Sequence, residues 1–447
     1  MLNTRLFLLV ACTALFVKCG SSPEPIFDII AQTPIPERIY NATPWPDRIF
    51  QSIAEDPSTQ ISISWRASNQ VITGYVEYTE AGSFYAQSNN ILTKAAIIRP
   101  VRHEHVHDHY FQADISGLKP ETNYKVRVGN DSYRSEWIDV RTAPESFKPF
   151  RFLYFGDMQS QIREKGTGIF RHAAMHYHDA RFMVHAGDLV SSSGDDDTWG
   201  EWFYAGNWLF QQVPSLVVAG NSDHFRWQQQ PVDKQMLFPQ WHGVFNMPKN
   251  NPEGLENLAY YFDYPGIRII ALYSNFESLT GNNRDIYIKN DLQLTQDLFN
   301  QQLRWLERAL AGNRQPWLAV VIHHPVFTAR KERYNELLQN HFLPLFEKYK
   351  VDLVMQGHDH VYARGSNPDP EKESKLPVYV ISVAGGEMRE VDRSHTWISR
   401  YKENTQLYQV IHIGRNALRL ESVDTRGNIA DRFWIRRAED GSKVFLE

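Results

Sequence analysis

The stretch VDLVMQGHDHVYAR, residues 351–364, places two histidines one residue apart directly after a short apolar run. Such a run is typical of a strand that is buried on both faces, and a strand sends residues i and i+2 to the same side. His358 and His360 should therefore point together from the strand end, where Gly357 interrupts it. Two interpretations are open at this point: metal ligands, since histidine is the commonest metal ligand, or two surface histidines in a turn.

Four earlier apolar runs also end in a residue type that binds metals. They are RFLYFGD, ARFMVHAGD, VPSLVVAGNSD and PWLAVVIHH, which lead to Asp157, Asp188, Asn221 and His323. Helical patterns lie between them, such as TQDLFNQQLRWLERALAG with Gly312 as its stop. Strands that alternate with helices indicate an α/β domain, whose reactive crevice lies beyond the carboxyl ends of the strands. We therefore expect these side chains to meet at one edge.

The predicted cluster offers oxygen and nitrogen ligands and no sulfur, which favours Zn, Fe or Mn over a structural thiolate site. Two ions about 3.5–4 Å apart need a carboxylate that bridges them, and Asp188 is the candidate. The predicted metal ligands are Asp157, Gln159, Asp188, Asn221, His323, His358 and His360.

These motifs resemble those of the calcineurin-like metallophosphoesterases and, more closely, the purple acid phosphatases. That family has the blocks Asp-x-Gly, Gly-Asp-x-x-Tyr, Gly-Asn-His-Glu/Asp, Val-x-x-His and Gly-His-x-His. The chain shows GDMQ, GDLVS, GNSD, VVIHHP and GHDH in the same order. The resemblance implies an acid phosphatase-like hydrolase of phosphoric esters, in which a metal-bound hydroxide attacks phosphorus at a centre of two Fe, Zn or Mn ions.

The resemblance also implies a role for each ligand. Asp157 and His360 would bind the first metal, Asp188 would bridge and also act in catalysis, and the second metal would be held by Asn221, His323 and His358. The histidine that matches Val-x-x-His is His323, which leaves His324 to pack or to form a local hydrogen bond.

Three positions depart from the family pattern. Ser191 stands where purple acid phosphatases have the tyrosinate that colours them, so we expect a colourless protein. Gln159 stands where the wider superfamily has a ligating histidine. Ser222 replaces the histidine that contacts phosphate, and we expect His224 to act in its place as the catalytic general acid. Without a substitute, the loss of general acid catalysis would be about 10²–10⁴-fold.

These departures keep two further functions open. The chain would be a degenerate surface-anchored protein that binds a phosphorylated or carbohydrate ligand, or a diesterase or pyrophosphatase instead of a monoesterase. Net charge is -5 over 447 residues, which argues against a nucleic-acid partner, because such proteins usually carry a basic field. The expected partner is a phosphoester substrate.

The first 19 residues read as a signal peptide, with Arg5 before the apolar run LFLLVACTALFV. The polar turn after Cys19 resembles a bacterial lipoprotein signal; Cys12 fits the lipobox better but leaves a very short apolar region. We expect export to the cell envelope with a lipid anchor, or a periplasmic or secreted protein. Both cysteines lie in this segment, so the mature chain has no disulfide and no catalytic thiol.

The predicted domain order follows from the remaining patterns. Residues 20–45 read as a linker, residues 46–144 as an all-β sandwich of fibronectin type III kind with Pro144 at its boundary, and residues 149–437 as the metallophosphoesterase domain. In the latter we expect two mixed sheets packed face to face and flanked by helices.

Three other motifs have competing interpretations. RHEHVHDHY, residues 102–110, would place four histidines on one strand face, as a metal-loading patch or as the solvent side of a strand. GDDDTW lacks the spaced ligands of a calcium loop, so we expect an exposed acidic loop. Tyr362 and Arg364 either line the substrate cleft or serve as a packed aromatic ring and an ion pair.

Overall fold

The computed structural model describes residues 39–85, 90–103, 106–226, 235–237, 240–275, 296–331, 333–371 and 374–447. The predicted signal peptide and most of the linker lie outside these residues. Within the described part of the chain, no helix has both the length and the apolar character needed to cross a membrane.

The N-terminal part of the chain, residues 47–141, is a β-sandwich, as the alternating sequence predicts. Its two sheets have the strand orders β1–β2–β6–β5 and β4–β3–β7–β8, and the Trp65 and Phe111 rings stack in the core between them, with centroids 5.2 Å apart. A short helix, α1 (Ala81–Tyr85), follows the third strand. The strands are β1 (Asp47–Ser52), β2 (Ile61–Ser68), β3 (Tyr75–Glu80), β4 (Leu92–Ala95), β5 (Ile97–His103), β6 (Val106–Ile115), β7 (Asn123–Gly129) and β8 (Ile138–Arg141).

The α/β part of the chain, residues 150–446, contains two sheets packed face to face, with helices flanking them. One buried apolar cluster joins both sheets, and the Tyr154 hydroxyl of one donates to the Gln356 carbonyl of the other. The strands are β9 (Phe150–Phe155), β10 (Met183–His185), β11 (Ser215–Val217), β12 (His224–Arg226), β13 (Gln235–Leu237), β14 (Tyr260–Tyr264), β15 (Ile267–Leu272), β16 (Trp317–Ile322), β17 (Leu353–Gln356), β18 (Tyr362–Gly365), β19 (Val378–Ile381), β20 (Ile398–Lys402), β21 (Tyr408–Ile413), β22 (Ala417–Val423), β23 (Ile429–Arg437) and β24 (Lys443–Leu446).

The helices of the α/β part lie between the strands, as the alternating pattern predicts. The predicted helix before PWLAVVIHH is present, and Gly312 follows its last residue. A π-helical turn (Ile162–Gly166) precedes the first helix of the α/β part. The helices are α2 (Thr167–His176), α3 (Asp196–Gln212), α4 (Gln240–Val244), α5 (Gln296–Ala311), α6 (Glu336–His341) and α7 (Leu343–Lys348).

The sandwich and the α/β part share a sheet, and the sequence did not predict this continuity. β1 pairs in parallel with β11 through Ser52 and Ser215, and the Ile53 amide donates to the Ser215 carbonyl at 3.0 Å. The result is one sheet of eleven strands in the order β24–β23–β22–β21–β9–β10–β11–β1–β2–β6–β5. The other α/β sheet has the order β14–β15–β16–β17–β19–β18–β20.

The histidine-rich run RHEHVHDHY is not one strand, so the expectation of four histidines on one face is wrong. β5 ends at His103, β6 begins at Val106, and these two residues pair across the hairpin. His107 is exposed on β6, whereas Asp108 and Tyr110 are buried. At this end of the two strands, Val101, Val106 and Tyr110 are buried in the large apolar cluster that extends into the α/β sheets.

The acidic segment GDDDTW is also not a simple exposed loop. Asp195 caps α3 by accepting from the Asp197 amide at 3.0 Å. Asp196 is buried and bonds Arg48 at 2.7 and 2.9 Å and Arg66 at 3.3 Å, both of which belong to the sandwich. This buried ionic cluster joins the sandwich to the chain that follows Asp188.

Candidate metal centre

The predicted ligands follow the carboxyl ends of strands that run in parallel. In one sheet β9, β10 and β11 are in register, so their last residues Phe155, His185 and Val217 are neighbours. In the other sheet Ile322 and Gln356, at the ends of β16 and β17, are partners. The loops that leave these five strand ends therefore meet in one place, where the two packed sheets present the same edge.

The backbone at this edge adopts conformations that side chains usually avoid. The φ angles are +42° at Asp157, +49° at Asp188, +73° at His358 and +55° at His360. Positive φ is uncommon outside glycine, and such strain concentrates at functional sites, where the surrounding structure holds it. The strained backbone turns all four side chains into the same small space.

Two glycines allow the loops to approach each other. Gly187 has a φ of +86°, and a Cβ there would lie 2.5 Å from His323 Nδ1. A Cβ on Gly220 would lie 2.1 Å from the Asp188 carboxylate. The Gly-Asp and Gly-Asn motifs therefore need glycine because the neighbouring ligand fills the space of a side chain.

Asn221, His323 and His358 form one side of the centre. The Asn221 Oδ1 atom lies 3.1 Å from His323 Nε2 and 2.8 Å from His358 Nδ1. His323 Nδ1 lies 2.8 Å from the Ala186 carbonyl, which can only accept, so this nitrogen carries the proton in the neutral ring. The Nε2 lone pair then faces Asp188, whose Oδ1 is 3.4 Å away.

Asp157, Gln159 and His360 form the other side. His360 Nδ1 donates to the Glu387 carbonyl at 3.0 Å, which leaves Nε2 facing inward. That nitrogen lies 2.8 Å from the amide nitrogen of Gln159, so the Gln159 carbonyl oxygen would need a turn of the amide to reach a shared ion. Asp157 Oδ1 accepts from the His358 amide at 2.8 Å. Its Oδ2 is buried and has no partner among the described residues.

The electrostatics of this edge fit bound cations. Burial raises the pKa of the Asp157 carboxyl well above its usual value, and the nearby Asp188 carboxylate raises it further. Burial lowers the pKa of His358 well below its usual value, so the ring is a neutral donor. One oxygen or nitrogen of each of Asp157, Asp188 and His323 lies within 4.8 Å of the others. Crowded buried carboxylates with an orphaned oxygen and neutral imidazoles are the donor set of a metal centre.

Ser222 and Asp223 hold Asp188 and its loop in place. The Ser222 amide and hydroxyl donate to the Asp188 carboxylate at 2.8 and 3.1 Å. Asp223 is buried and accepts from the Leu189 amide at 3.0 Å and from the Gly220 amide at 2.8 Å. The serine in the family histidine's position therefore braces the predicted bridging ligand.

The position of His224 does not suit the general acid predicted from the sequence, and we correct that expectation. Its Nδ1 donates to the Gly220 carbonyl at 2.8 Å, and its Nε2 accepts from the Tyr273 hydroxyl at 2.9 Å. Burial lowers its pKa to about 4. A neutral ring whose one N–H is donated to a carbonyl has no free proton to give to a leaving group. The bend after Asn221 places the ring here, whereas an extended chain would point it like Ser222.

Two residues near the centre were missed by sequence reasoning. Asp359 is buried between the two histidines and accepts from Thr328 Oγ1 at 2.8 Å, from the Ala329 amide at 2.6 Å and from Arg333 at 2.8 Å. Arg333 also donates to the His358 carbonyl at 3.2 Å, and its charge lowers the pKa of Asp157. The central aspartate of GHDH was a visible signal, but Arg333 belongs to no motif.

Tyr362 and Arg364 take the packed alternative instead of lining the cleft. Both are buried, and both bond Asp431 of β23, at 2.7 Å from the Tyr362 hydroxyl and at 2.6 Å from Arg364 Nε. The strand β18 thus uses these residues to fix itself to the neighbouring sheet.

Comparison with known proteins gives the class to which this fold and centre belong. The family model of the calcineurin-like phosphoesterases matches residues 150–362, and that of the purple acid phosphatase N-terminal domain matches residues 46–142. Residues 150–362 thus form a calcineurin-like metallophosphoesterase domain, and the matches indicate a hydrolase of phosphoric esters. Within that class the chain is purple acid phosphatase-like, since the N-terminal model of that family also matches and the relatives below are named purple acid phosphatases.

Named relatives agree with this assignment. The chain is 25% identical over 354 residues to probable purple acid phosphatase 20 of Arabidopsis thaliana, covering 77% of this chain and 75% of that one. It is 23% identical over 299 residues to the Fe(3+)-Zn(2+) purple acid phosphatase 12 of the same plant, covering 61% and 58%. A purple acid phosphatase from yellow lupin (Lupinus luteus) seeds has the same fold, with a TM-score of 0.69 and 16% identity over 89% of this chain and 75% of that one.

Proposed function

We propose that this protein is an exported phosphoesterase of acid phosphatase type whose two metal ions are held by loops at the shared edge of its sheets. Asp157, Gln159 and His360 would hold the first ion, Asp188 would bridge, and the second ion would be held by Asn221, His323 and His358. The observation that carries this proposal is the set of short distances joining these side chains, from the 2.8 Å between Gln159 and His360 to the 3.4 Å between Asp188 and His323.

Bound metals at such a centre supply charge neutralisation for phosphoryl oxygens and a nucleophile at neutral pH. The surrounding residues prepare the centre for them. The Ala186 and Glu387 carbonyls fix the ring orientations of His323 and His360, as the hydrogen-bond partners of metal-bound histidines commonly do. Arg333, oriented by Asp359, would pair with a phosphoryl oxygen of the substrate, because guanidinium groups recognise phosphate well.

The engaged state of His224 and the serine at position 222 define the substrates that suit this centre. With His224 engaged and serine at position 222, neither residue protonates the leaving group, so a poor leaving group such as an alkoxide departs slowly. We therefore expect phosphate esters with acidic leaving groups, such as aryl esters, to be hydrolysed faster than alkyl esters of the same charge.

Metal analysis of the purified protein, paired with hydrolysis of an aryl monoester and an aryl diester across pH, tests the proposal. We expect two ions per chain, turnover that is lost with a chelator, and recovery on adding Zn, Mn or Fe. One ion or none, with no turnover of either ester, would instead support the surface-anchored binding protein that the two serine replacements suggest. The ratio of the two rates separates a monoesterase from a diesterase.

The location and the domain limits are part of the same proposal. We propose a signal segment over residues 1–19 that is cleaved before Cys19, which then carries the lipid as the first mature residue, a linker over residues 20–45, and domains over residues 46–144 and 149–437. Mass spectrometry of the N-terminal peptide from protein made in a bacterial host tests the first of these. An unmodified Met1 in the mature protein would contradict export by this route.

A further inference from the structure

His324 lies beside the second-metal side of the centre, although a strand pattern would turn it away from His323. The strand β16 ends at Ile322, and the chain bends over the next two residues. Adjacent residues in a bend are not held to opposite faces as they are in a strand. Both rings therefore lie in the same buried region.

The contacts of His324 orient its ring towards the predicted ligands. Its centroid is 4.3 Å from that of His358 and 5.0 Å from that of His323. Its Nδ1 lies 2.9 Å from the Ser274 hydroxyl, and its own amide donates to that hydroxyl at 3.1 Å. Ser274 is buried after β15 and fixes the ring from the outer side. Nε2 is therefore the nitrogen that remains for a ligand.

The three imidazoles are close enough to share one ion. One ring nitrogen of each of His323, His324 and His358 lies within 4.8 Å of the others, and all three residues are buried. Metal-bound histidines usually have their other nitrogen fixed by a partner, and Ser274 provides that partner for His324 just as the Ala186 carbonyl does for His323.

We propose that His324 is an additional ligand of the second metal, which gives that ion three imidazoles beside Asn221 and the bridging Asp188. This inference rests on the proposed function and extends its ligand set. A site richer in imidazole suits Zn and other borderline divalent ions better than a site dominated by oxygen. The second position should therefore select a divalent ion such as Zn(II) over Mn(II).

The test compares His324→Gln with His412→Gln, which removes a part-buried imidazole of β21 that pairs with Glu421 instead. Wild type and variants are stripped with a chelator and titrated with Zn(II), and X-ray absorption at the Zn edge reports the imidazoles per ion. We expect His324→Gln to bind one of the two ions at least about tenfold more weakly and to show fewer imidazoles. Ser274→Ala should weaken the same ion less, and His412→Gln should match wild type.

The outcomes separate this inference from the function beneath it. Wild-type affinity and imidazole number in folded His324→Gln would overturn the assignment of His324 alone, since the metal pair would then be complete without it. If His324→Gln fails to fold by circular dichroism, Ser274→Ala decides, and unchanged Zn affinity in that variant overturns the inference. Wild-type protein that retains no pair of ions would overturn the proposed function itself.

Discussion

Two stretches of this chain alternate histidine with another residue, and they fold in opposite ways. GHDH, residues 357–360, follows the buried parallel strand β17, and its histidines face Asn221 and Gln159 across the centre. RHEHVHDHY, residues 102–110, forms the two antiparallel strands of a hairpin. On β6 the exposed side carries His107, while the buried side carries Asp108 and Tyr110.

The difference shows that histidine spacing does not by itself make a metal site. In GHDH the strand ends, the backbone takes positive φ, and four other strand ends deliver ligands to the same edge. In the hairpin the backbone stays extended and paired, so the alternation only sorts residues between core and solvent. The predicted ligands of this chain come together because the strands that precede them end at one edge.

The largest effect should come from removing the proposed bridging ligand. In Asp188→Asn we expect loss of both metals and of turnover, because the carboxylate faces His323 and is braced by Ser222. Losing a residue that only hydrogen-bonds a metal ligand typically lowers metal affinity or activity by about 10–100-fold, so the loss here should exceed that range. Metal content by mass spectrometry and aryl phosphate hydrolysis measure it, with Asp179→Asn on the surface as control. Full activity would refute the two-metal assignment.

The inward side of the hairpin should matter for stability. Arg66 is buried and bonds Asp47 at 2.7 Å, Asp108 at 3.1 Å and Asp196 at 3.3 Å. Arg66→Met removes the buried charge that faces the buried carboxylates of Asp108 and Asp196, and breaking such a pair costs about 3–5 kcal/mol. Urea unfolding measures the change, and exposed Arg102→Met on β5 should be near neutral. Equal midpoints for the two variants would mean that the cluster does not stabilise the fold.

The centre was more predictable from sequence than its surroundings were. Asp157, Asp188 and His358 each follow an apolar run, and the rule that parallel strands present their carboxyl ends at one edge brings them together. Short-range pattern and one topological rule were sufficient, because each ligand directly follows the strand that positions it.

The failures concern residues whose partners are distant in sequence. Arg333 belongs to no motif, and Asp196 was interpreted as part of an exposed acidic loop; their roles depend on Asp359 and Arg48. His224 was misplaced because the sequence does not show that the chain bends before it and that Tyr273 occupies its nitrogen. The joining of the sandwich to the α/β sheet depends on the pairing of β1 with β11, which no local pattern encodes.

Matched substitutions in the two histidine stretches test the comparison directly. His358→Gln removes a buried imidazole 2.8 Å from Asn221. Loss of a residue that only hydrogen-bonds a metal ligand costs about 10–100-fold in metal affinity, so we expect Zn binding to weaken by at least that much. His107→Gln removes an exposed imidazole of β6 and should leave Zn affinity and ion number unchanged. Titration of chelator-stripped protein measures both. Weaker binding in His107→Gln would show that the hairpin also holds metal.

Arg333 should affect substrate binding more than the metals. Arg333→Met keeps the length of the side chain but removes the charge beside Asp157 and His358. We expect KM for an aryl phosphate to rise about tenfold, which is the loss of about 1.4 kcal/mol of binding, with metal content unchanged. Steady-state kinetics separate KM from kcat, and Arg330→Met three residues earlier is the control. A fall in kcat alone, with KM unchanged, would argue against a phosphate contact.

The smallest expected effect is an absence of colour. Visible absorption in purple acid phosphatases needs a phenolate bound to Fe(III), and Ser191 stands in the tyrosine position. Among the described residues, Tyr273 and Tyr154 lie near the centre, but the Tyr273 hydroxyl bonds His224 at 2.9 Å and the Tyr154 hydroxyl bonds the Val380 carbonyl at 3.1 Å. Burial raises the pKa of both hydroxyls, so neither is a phenolate at neutral pH. Protein loaded with Fe(III) and Zn(II) and shown to contain both should lack the charge-transfer band. An intense band that disappears in Tyr273→Phe would mean that the buried tyrosine has replaced the missing ligand.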